Sequence, residues 1–165
     1  MFRTMIPFAA AIAMLAATTT QAAAAPCFAP ALAHAAKYQQ LDIMLMVNSL
    51  RCRTSAHDFR AEYDSFRANH RAEMGAKIAL VLTAFGQHGT AAQARADLEQ
   101  ARTIMANLAA QPTTMSCANL RELTTTLAAA TEDKVAFAAD ALVVGTLAVA
   151  VCPVQLAKAE VTARK

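Results

Sequence analysis

Pro30-Ala31-Leu32-Ala33-His34-Ala35-Ala36-Lys37-Tyr38-Gln39-Gln40-Leu41-Asp42-Ile43-Met44-Leu45-Met46-Val47-Asn48-Ser49-Leu50 is the stretch that decides the fold class. Pro30 has its backbone angle already set for the first turn of a helix and lacks only an N–H that such a turn leaves unused. Leu32, Ala35, Ala36, Ile43, Met46, Val47 and Leu50 recur at helical spacing and predict one buried stripe. Outside this stretch Ala, Leu and Met dominate. With only 4 Gly and 5 Pro in the chain, that composition favours helix over strand.

Towards the C-terminus the same signals recur. Thr54 or Ser55 is the expected cap of a second helix, with Asp58 in its first turn. Phe59, Tyr63, Phe66 and His70 follow at i, i+4, i+7 and i+11 and form one face, read as core, with His70 at its boundary. Arg60, Asp64, Arg67 and Arg71 line another face, with opposite charges four residues apart. Gly75 is expected to kink or divide this helix from one over 77–85, which Gly86 stops. Thr90-Ala91-Ala92-Gln93 fits a capping box and opens a fourth helix with Ala94, Leu98, Ala101, Met105 and Leu108 inward.

Gln111-Pro112-Thr113-Thr114 breaks that helix, and Ser116 caps a fifth with Leu120, Leu123 and Leu127 inward. Thr131 caps a sixth, with Glu132 and Asp133 at its positive end. The run over 135–151 is almost wholly apolar, but Asp140 lies inside it and Gly145 follows. A charge at mid-membrane costs roughly 2.5–3.5 kcal/mol, so this run reads as the central helix of a soluble bundle. The expected fold is all-α, a single compact bundle of five or six helices stapled by two disulfides.

Towards the N-terminus the chain reads as an export signal over residues 1–24, with a helical domain over 25–165. Arg3 is its positive end, residues 6–17 its apolar run, and Gln21-Ala22-Ala23-Ala24-Ala25 its small-residue cleavage zone. Thr18-Thr19-Thr20 interrupts the run, against a membrane anchor. Pro26 before Cys27 disfavours lipid attachment at that cysteine. The chain carries 15 Lys and Arg against 12 Asp and Glu, a net charge of +3 that falls by one when Arg3 leaves. That balance is too even to argue for nucleic acid or strong membrane attraction. The localisation implied is periplasmic or secreted, with no stable membrane insertion of the mature chain.

Export places Cys27, Cys52, Cys117 and Cys152 in an oxidising compartment, where an even count implies structural bridges. Cys27 and Cys52 flank the first helix, roughly 30–37 Å apart along it, beyond disulfide reach. The preferred pairing is Cys52–Cys117 with Cys27–Cys152, and the alternative is Cys27–Cys117 with Cys52–Cys152. The chain contains no Cys-x-x-Cys, which removes thioredoxin-like chemistry and most zinc ribbons.

Candidate chemistry is sparse. His34, His57, His70 and His88 share no i, i+3 or i, i+4 spacing that would put two ligands on one helix face. There is no Gly-x-Ser-x-Gly elbow, no Ser-x-x-Lys and no phosphate-binding Gly-x-x-x-x-Gly-Lys. Asp97/Glu99 and Glu132/Asp133 are ordinary solvated or helix-start carboxylates. Arg51, Arg53, Arg60, Arg67 and Arg71 form the one charge feature, interleaved with Asp58, Glu62, Asp64 and Glu73. It reads as a solvated face or, for an acidic partner, a binding patch.

Leu41-Asp42-Ile43-Met44-Leu45-Met46-Val47-Asn48-Ser49-Leu50-Arg51-Cys52-Arg53, with Asp58-Phe59, Tyr63, Phe66 and Met115-Ser116-Cys117-Ala118-Asn119-Leu120, resembles small exported bacterial proteins of uncharacterised function. Proteins of this look are sometimes labelled S-adenosylhomocysteine hydrolase. The chain lacks the Gly-x-Gly-x-x-Gly and the alternating strand–helix units such an enzyme needs. The resemblance therefore implies export and a cysteine framework, but no catalytic residue, cofactor or metal.

The function expected is non-catalytic: an interaction, stress-protective or envelope-associated role, with a protein partner. The alternatives are a small apolar-ligand-binding protein, with the ligand held between helices, and a periplasmic toxin-immunity protein.

Overall fold

The computed structural model describes residues 28–87 and 89–143. These residues build six α-helices: α1 (Pro30–Cys52), α2 (Arg60–Asn69), α3 (Arg71–Gly86), α4 (Ala91–Ala109), α5 (Cys117–Ala128) and α6 (Glu132–Leu142). The all-α expectation holds. Every one of α2 to α6 packs on α1, while α2 also packs on α5 and α3 on α4. The first helix is thus the axis of the bundle, flanked by two helix pairs and by α6.

That placement corrects two expectations. Helix six is not buried all round, because Phe137 is 75% exposed. Helix one does not bury a single stripe either. All six residues over 38–43 are buried, and Leu50 at its end is exposed. A helix enclosed by five others buries a stretch of its length rather than one face. Gln39, Gln40, Asp42, Asn48 and Ser49 are therefore carried into the interior with Leu41 and Leu45.

The main core joins Tyr38, Leu41 and Leu45 of α1 to Phe59, Phe66, Leu120, Leu127 and Val135. Full burial of each such side chain stabilises by about 1.5–3 kcal/mol. Phe59, Tyr63 and Phe66 lie in this core, as their spacing predicts, and His70 is buried with them. A smaller core, Ala35, Val81 and Leu98, binds the α3–α4 pair to the first half of α1.

Local chemistry accounts for the helix ends. Thr90 Oγ1 accepts from the Gln93 N–H, and Gln93 Oε1 accepts from the Thr90 N–H, the expected capping box. Ser116 Oγ accepts from the Asn119 N–H and caps α5. Thr131 occupies the position before α6 without a side-chain cap, and Glu132 and Asp133 fill the first turn.

Two boundaries differ from expectation. The second helix begins at Arg60, not after Thr54 or Ser55. Ser55 instead closes the turn after α1, its hydroxyl donating to the Cys52 carbonyl while its oxygen accepts from the His57 N–H. Asp58 then accepts from the Arg60 N–H at 3.2 Å. The break between α2 and α3 falls at His70 rather than Gly75, which lies inside α3. The bridge Cys52–Cys117 is present, with Cα atoms 5.7 Å apart. It excludes the alternative pairing. Cys27 and Cys152 lie outside the described residues, as do residues 1–24 and the helix-six run beyond residue 143.

No helix among the described residues is long and apolar enough to cross a membrane. Asp140 accepts a 2.8 Å hydrogen bond from Lys37 Nζ and sits 3.6 Å from His34 Nδ1, so α6 is also held to α1 by charge.

Candidate functional site

Of the five arginines, Arg51 lies on α1, Arg53 in the turn after it, Arg60 and Arg67 on α2, and Arg71 on α3. Arg51 Nη2 reaches the Met115 carbonyl at 3.4 Å, and Arg53 makes no ion pair among the described residues. Arg60 is engaged by Asp58 through a 2.7 Å contact, which holds the Asp58 carboxyl below its usual range. Arg67 Nε stands 3.9 Å from Asp42 Oδ1, and that carboxylate raises the guanidinium's affinity for its proton. Arg71 is exposed and, among the described residues, forms no ion pair. Arg67 and Arg71 line one groove of about 570 Å³ with Tyr63, Met74 and Ile78, where Asp64 offsets part of their charge. Arg51, Arg53 and Arg60 are not among its lining residues.

Beneath that groove lies a buried polar network. Tyr63 donates to Asp42 Oδ1 at 2.9 Å, and Tyr38 donates to Glu73 Oε2 at 3.1 Å. Burial first, and the facing carboxylates second, push both phenols up from their ordinary value. His70 Nδ1 lies 3.1 Å from the same Glu73 oxygen, and its Nε2 donates to the Leu127 carbonyl at 2.9 Å. Both ring nitrogens are occupied and the residue is 4% exposed. No nucleophilic side chain is bonded to this imidazole. The arrangement fastens α2 and α3 to α5 and suits structure rather than proton transfer. His34 and His57 are exposed, and His88 lies outside the described residues. No cluster of three potential metal ligands occurs among the described residues.

A second depression borders Gln40, Met44 and Asn48 of α1. It measures about 350 Å³ and opens between these residues, Leu108 at the end of α4, the connection over 110–116, Leu120 of α5, and Leu142 and Val143 at the end of α6. The volume falls at the small end of the usual range for ligand pockets, about 300–1,000 Å³. Its walls are mostly apolar. Pro112 keeps the connection from continuing α4. Thr113 Oγ1 accepts from the Met115 N–H and turns the chain towards Ser116. The Cys52–Cys117 bridge then ties the start of α5 to the end of α1, one turn beyond Asn48. The wall of the pocket is fixed covalently on this side.

This pocket was not legible as a site, because its walls come from four helices. One signal in the sequence does point to it. Gln40, Met44 and Asn48 stand at i, i+4 and i+8, placing two amides on one face of α1. No family model, no curated protein and no solved structure matches this chain.

Proposed function

We propose that the protein is an exported, non-catalytic binding protein that holds a small, largely apolar ligand in the pocket between α1, the α4–α5 connection and the end of α6. The observation that carries this reading is the pocket itself. It is a concave space of ligand size, with walls of Met44, Leu108, Pro112, Met115, Leu120 and Leu142 braced by a disulfide. Export, removal of residues 1–24 and a second bridge, Cys27–Cys152, belong to the same reading. They are supported by the apolar N-terminal run and by the bridge already formed at Cys52.

The test is titration with the neutral dye N-phenyl-1-naphthylamine, whose emission rises in apolar surroundings. The chain has no Trp, so the dye is read without indole emission beneath it. The expected result is saturable single-site binding that is lost in Met115→Trp, where an indole fills the pocket. Equal binding by both proteins would place the dye elsewhere and overturn the reading.

A second reading, attachment of a protein partner, is favoured by α6. Phe137, a large apolar side chain on that helix, is 75% exposed. Phe137→Ser would then abolish association with a partner without touching dye binding.

A further inference from the structure

His70 lies at the break between α2 and α3, is 4% exposed, and has an oxygen against each ring nitrogen. Nε2 stands 2.9 Å from the Leu127 carbonyl, and Nδ1 stands 3.1 Å from Glu73 Oε2. A carbonyl and an ionised carboxylate only accept. A neutral imidazole has one N–H and one lone pair. It can satisfy one of these two contacts and must turn its lone pair on the other. A ring protonated at both nitrogens satisfies them together.

The surroundings favour that positive charge from two sides. Leu127 lies in the last turn of α5, where the helix dipole presents partial negative charge to a cation. Asn69 Nδ2 donates to the next carbonyl, Ala128, at 2.8 Å, so two adjacent residues of the α2–α3 corner grip the same helix end. On the other side, Glu73 Oε2 also accepts from the Tyr38 hydroxyl at 3.1 Å. An oxygen that takes two donors suits an ionised carboxylate, and the Glu73 side chain, 29% exposed, keeps part of its charge in water. Of the titratable groups, Glu73 of α3 faces His70 directly and Tyr38 of α1 faces it through Glu73. From α5 it meets the Leu127 carbonyl, and from α2 the Phe66 ring, centroids 4.9 Å apart. Glu132 of α6, paired with Lys77 at 2.7 Å, adds negative charge at Tyr38, as does Asp42.

We infer that His70 is an imidazolium in the folded protein, and that its second proton is a pH-sensitive latch joining α5, the α2–α3 corner and α1. With the proton in place, one unbroken chain of hydrogen bonds runs from the end of α5 through His70 and Glu73 to Tyr38. With the proton gone, the ring keeps either Leu127 or Glu73, and its lone pair opposes the oxygen it has lost. An unfolded histidine, with its ordinary value of about 6.5, is largely without that proton above neutral pH. The folded state then binds one proton more than the unfolded state, so stability falls as pH rises.

The experiment is nitrogen-resolved NMR of the histidine rings in the isotope-labelled full chain at about pH 7.5, where a free imidazole is mostly neutral. The expected His70 ring has two nitrogens of nearly equal shift, each bearing a proton. In Glu73→Gln the side-chain amide can donate to Nδ1, so the expected ring is neutral, with widely split nitrogens. Urea unfolding supplies a second reading. From about pH 7 to about pH 9 the folded-to-unfolded ratio of the natural protein is expected to fall more steeply than that of Glu73→Gln, by up to about tenfold per pH unit, the effect of one proton released on unfolding.

A neutral His70 ring in the natural protein, with one N–H and split nitrogens, would overturn the inference. So would equal pH slopes in the two proteins, since no proton would then depend on Glu73. If Glu73→Gln does not fold, the ring nitrogens of the natural protein still decide.

Discussion

Cys52 and Cys117 join the last residue of α1 to the first residue of α5 across 65 positions of sequence, with Cα atoms 5.7 Å apart. Closing so long a loop removes much of the freedom of the unfolded chain. On the loop-entropy model the bridge contributes about 4 kcal/mol. The paired substitution Cys52→Ala with Cys117→Ala is therefore expected to lower the urea midpoint markedly. It is also expected to weaken dye binding, since Asn48 and Met115 sit just before the two cysteines and form facing walls. Unchanged dye affinity in a destabilised but folded variant would show that the bridge supports the fold without shaping the pocket.

Phe66 is completely buried, 4.9 Å ring to ring from His70, and belongs to the main core. Phe66→Ala is expected to cost about 3–5 kcal/mol. Arg71→Ala, one turn further on at an exposed position with no ion pair among the described residues, is expected to stay within about 0.5 kcal/mol. Urea unfolding of the two variants measures both. A near-neutral Phe66→Ala would place that face of α2 at a recognition surface and not in the core.

Legibility followed the range of the interactions. Thr90, Gln93 and Ser116 cap their helices through contacts three residues away, so the sequence alone identified them. The core face Phe59–Tyr63–Phe66 was equally plain, because helical spacing reports it directly. His70 breaks the helix in a way that spacing does not report, since its imidazole is held by Leu127, 57 residues on. Ser55 was misread as a cap because its hydroxyl has two local uses, and the turn after Cys52 claims it. The burial of Gln39, Asp42 and Asn48 could not be inferred from α1, because it depends on five other helices surrounding them. The pocket was hidden for the same reason.

Gly75 was the expected break and is instead an exposed interior position of α3. A methyl group built there meets no atom within 4 Å apart from its chain neighbours and the backbone of its own helix. Gly in a helix interior is destabilising by roughly 0.5–1 kcal/mol relative to Ala, through the freedom its unfolded chain loses. Gly75→Ala is thus expected to raise stability by about that amount, read as an increased urea midpoint with an unchanged slope. A destabilised variant would mean that α3 needs to bend at this point and that the helix described here is not its resting form.

Tyr38 and Tyr63 are the only tyrosines, 2% and 7% exposed, and each donates its hydroxyl to a carboxylate, Glu73 and Asp42 respectively. Burial, then the adjacent negative charge, raises both above the ordinary value of 10.0. In the unfolded chain they lose their protons near that ordinary value, while the folded protein keeps them. Above about pH 10 the unfolded state therefore binds fewer protons than the folded one, and stability falls as pH rises. The slope is at most about 1.4 kcal/mol per pH unit for each tyrosine, and the contribution is fully present below about pH 9. With no Trp in the chain, near-ultraviolet absorbance follows phenolate formation cleanly, and far-ultraviolet circular dichroism follows the helices. Both signals are expected to change together, in one transition above the range of free tyrosine. Replacing Tyr63 by Phe is expected to halve the absorbance change and to lower stability at neutral pH, because Asp42 loses its buried donor. Phenolate appearing near pH 10 with the helices intact would show that the hydroxyls are open to water, and that the network beneath the Arg67–Arg71 groove is not closed.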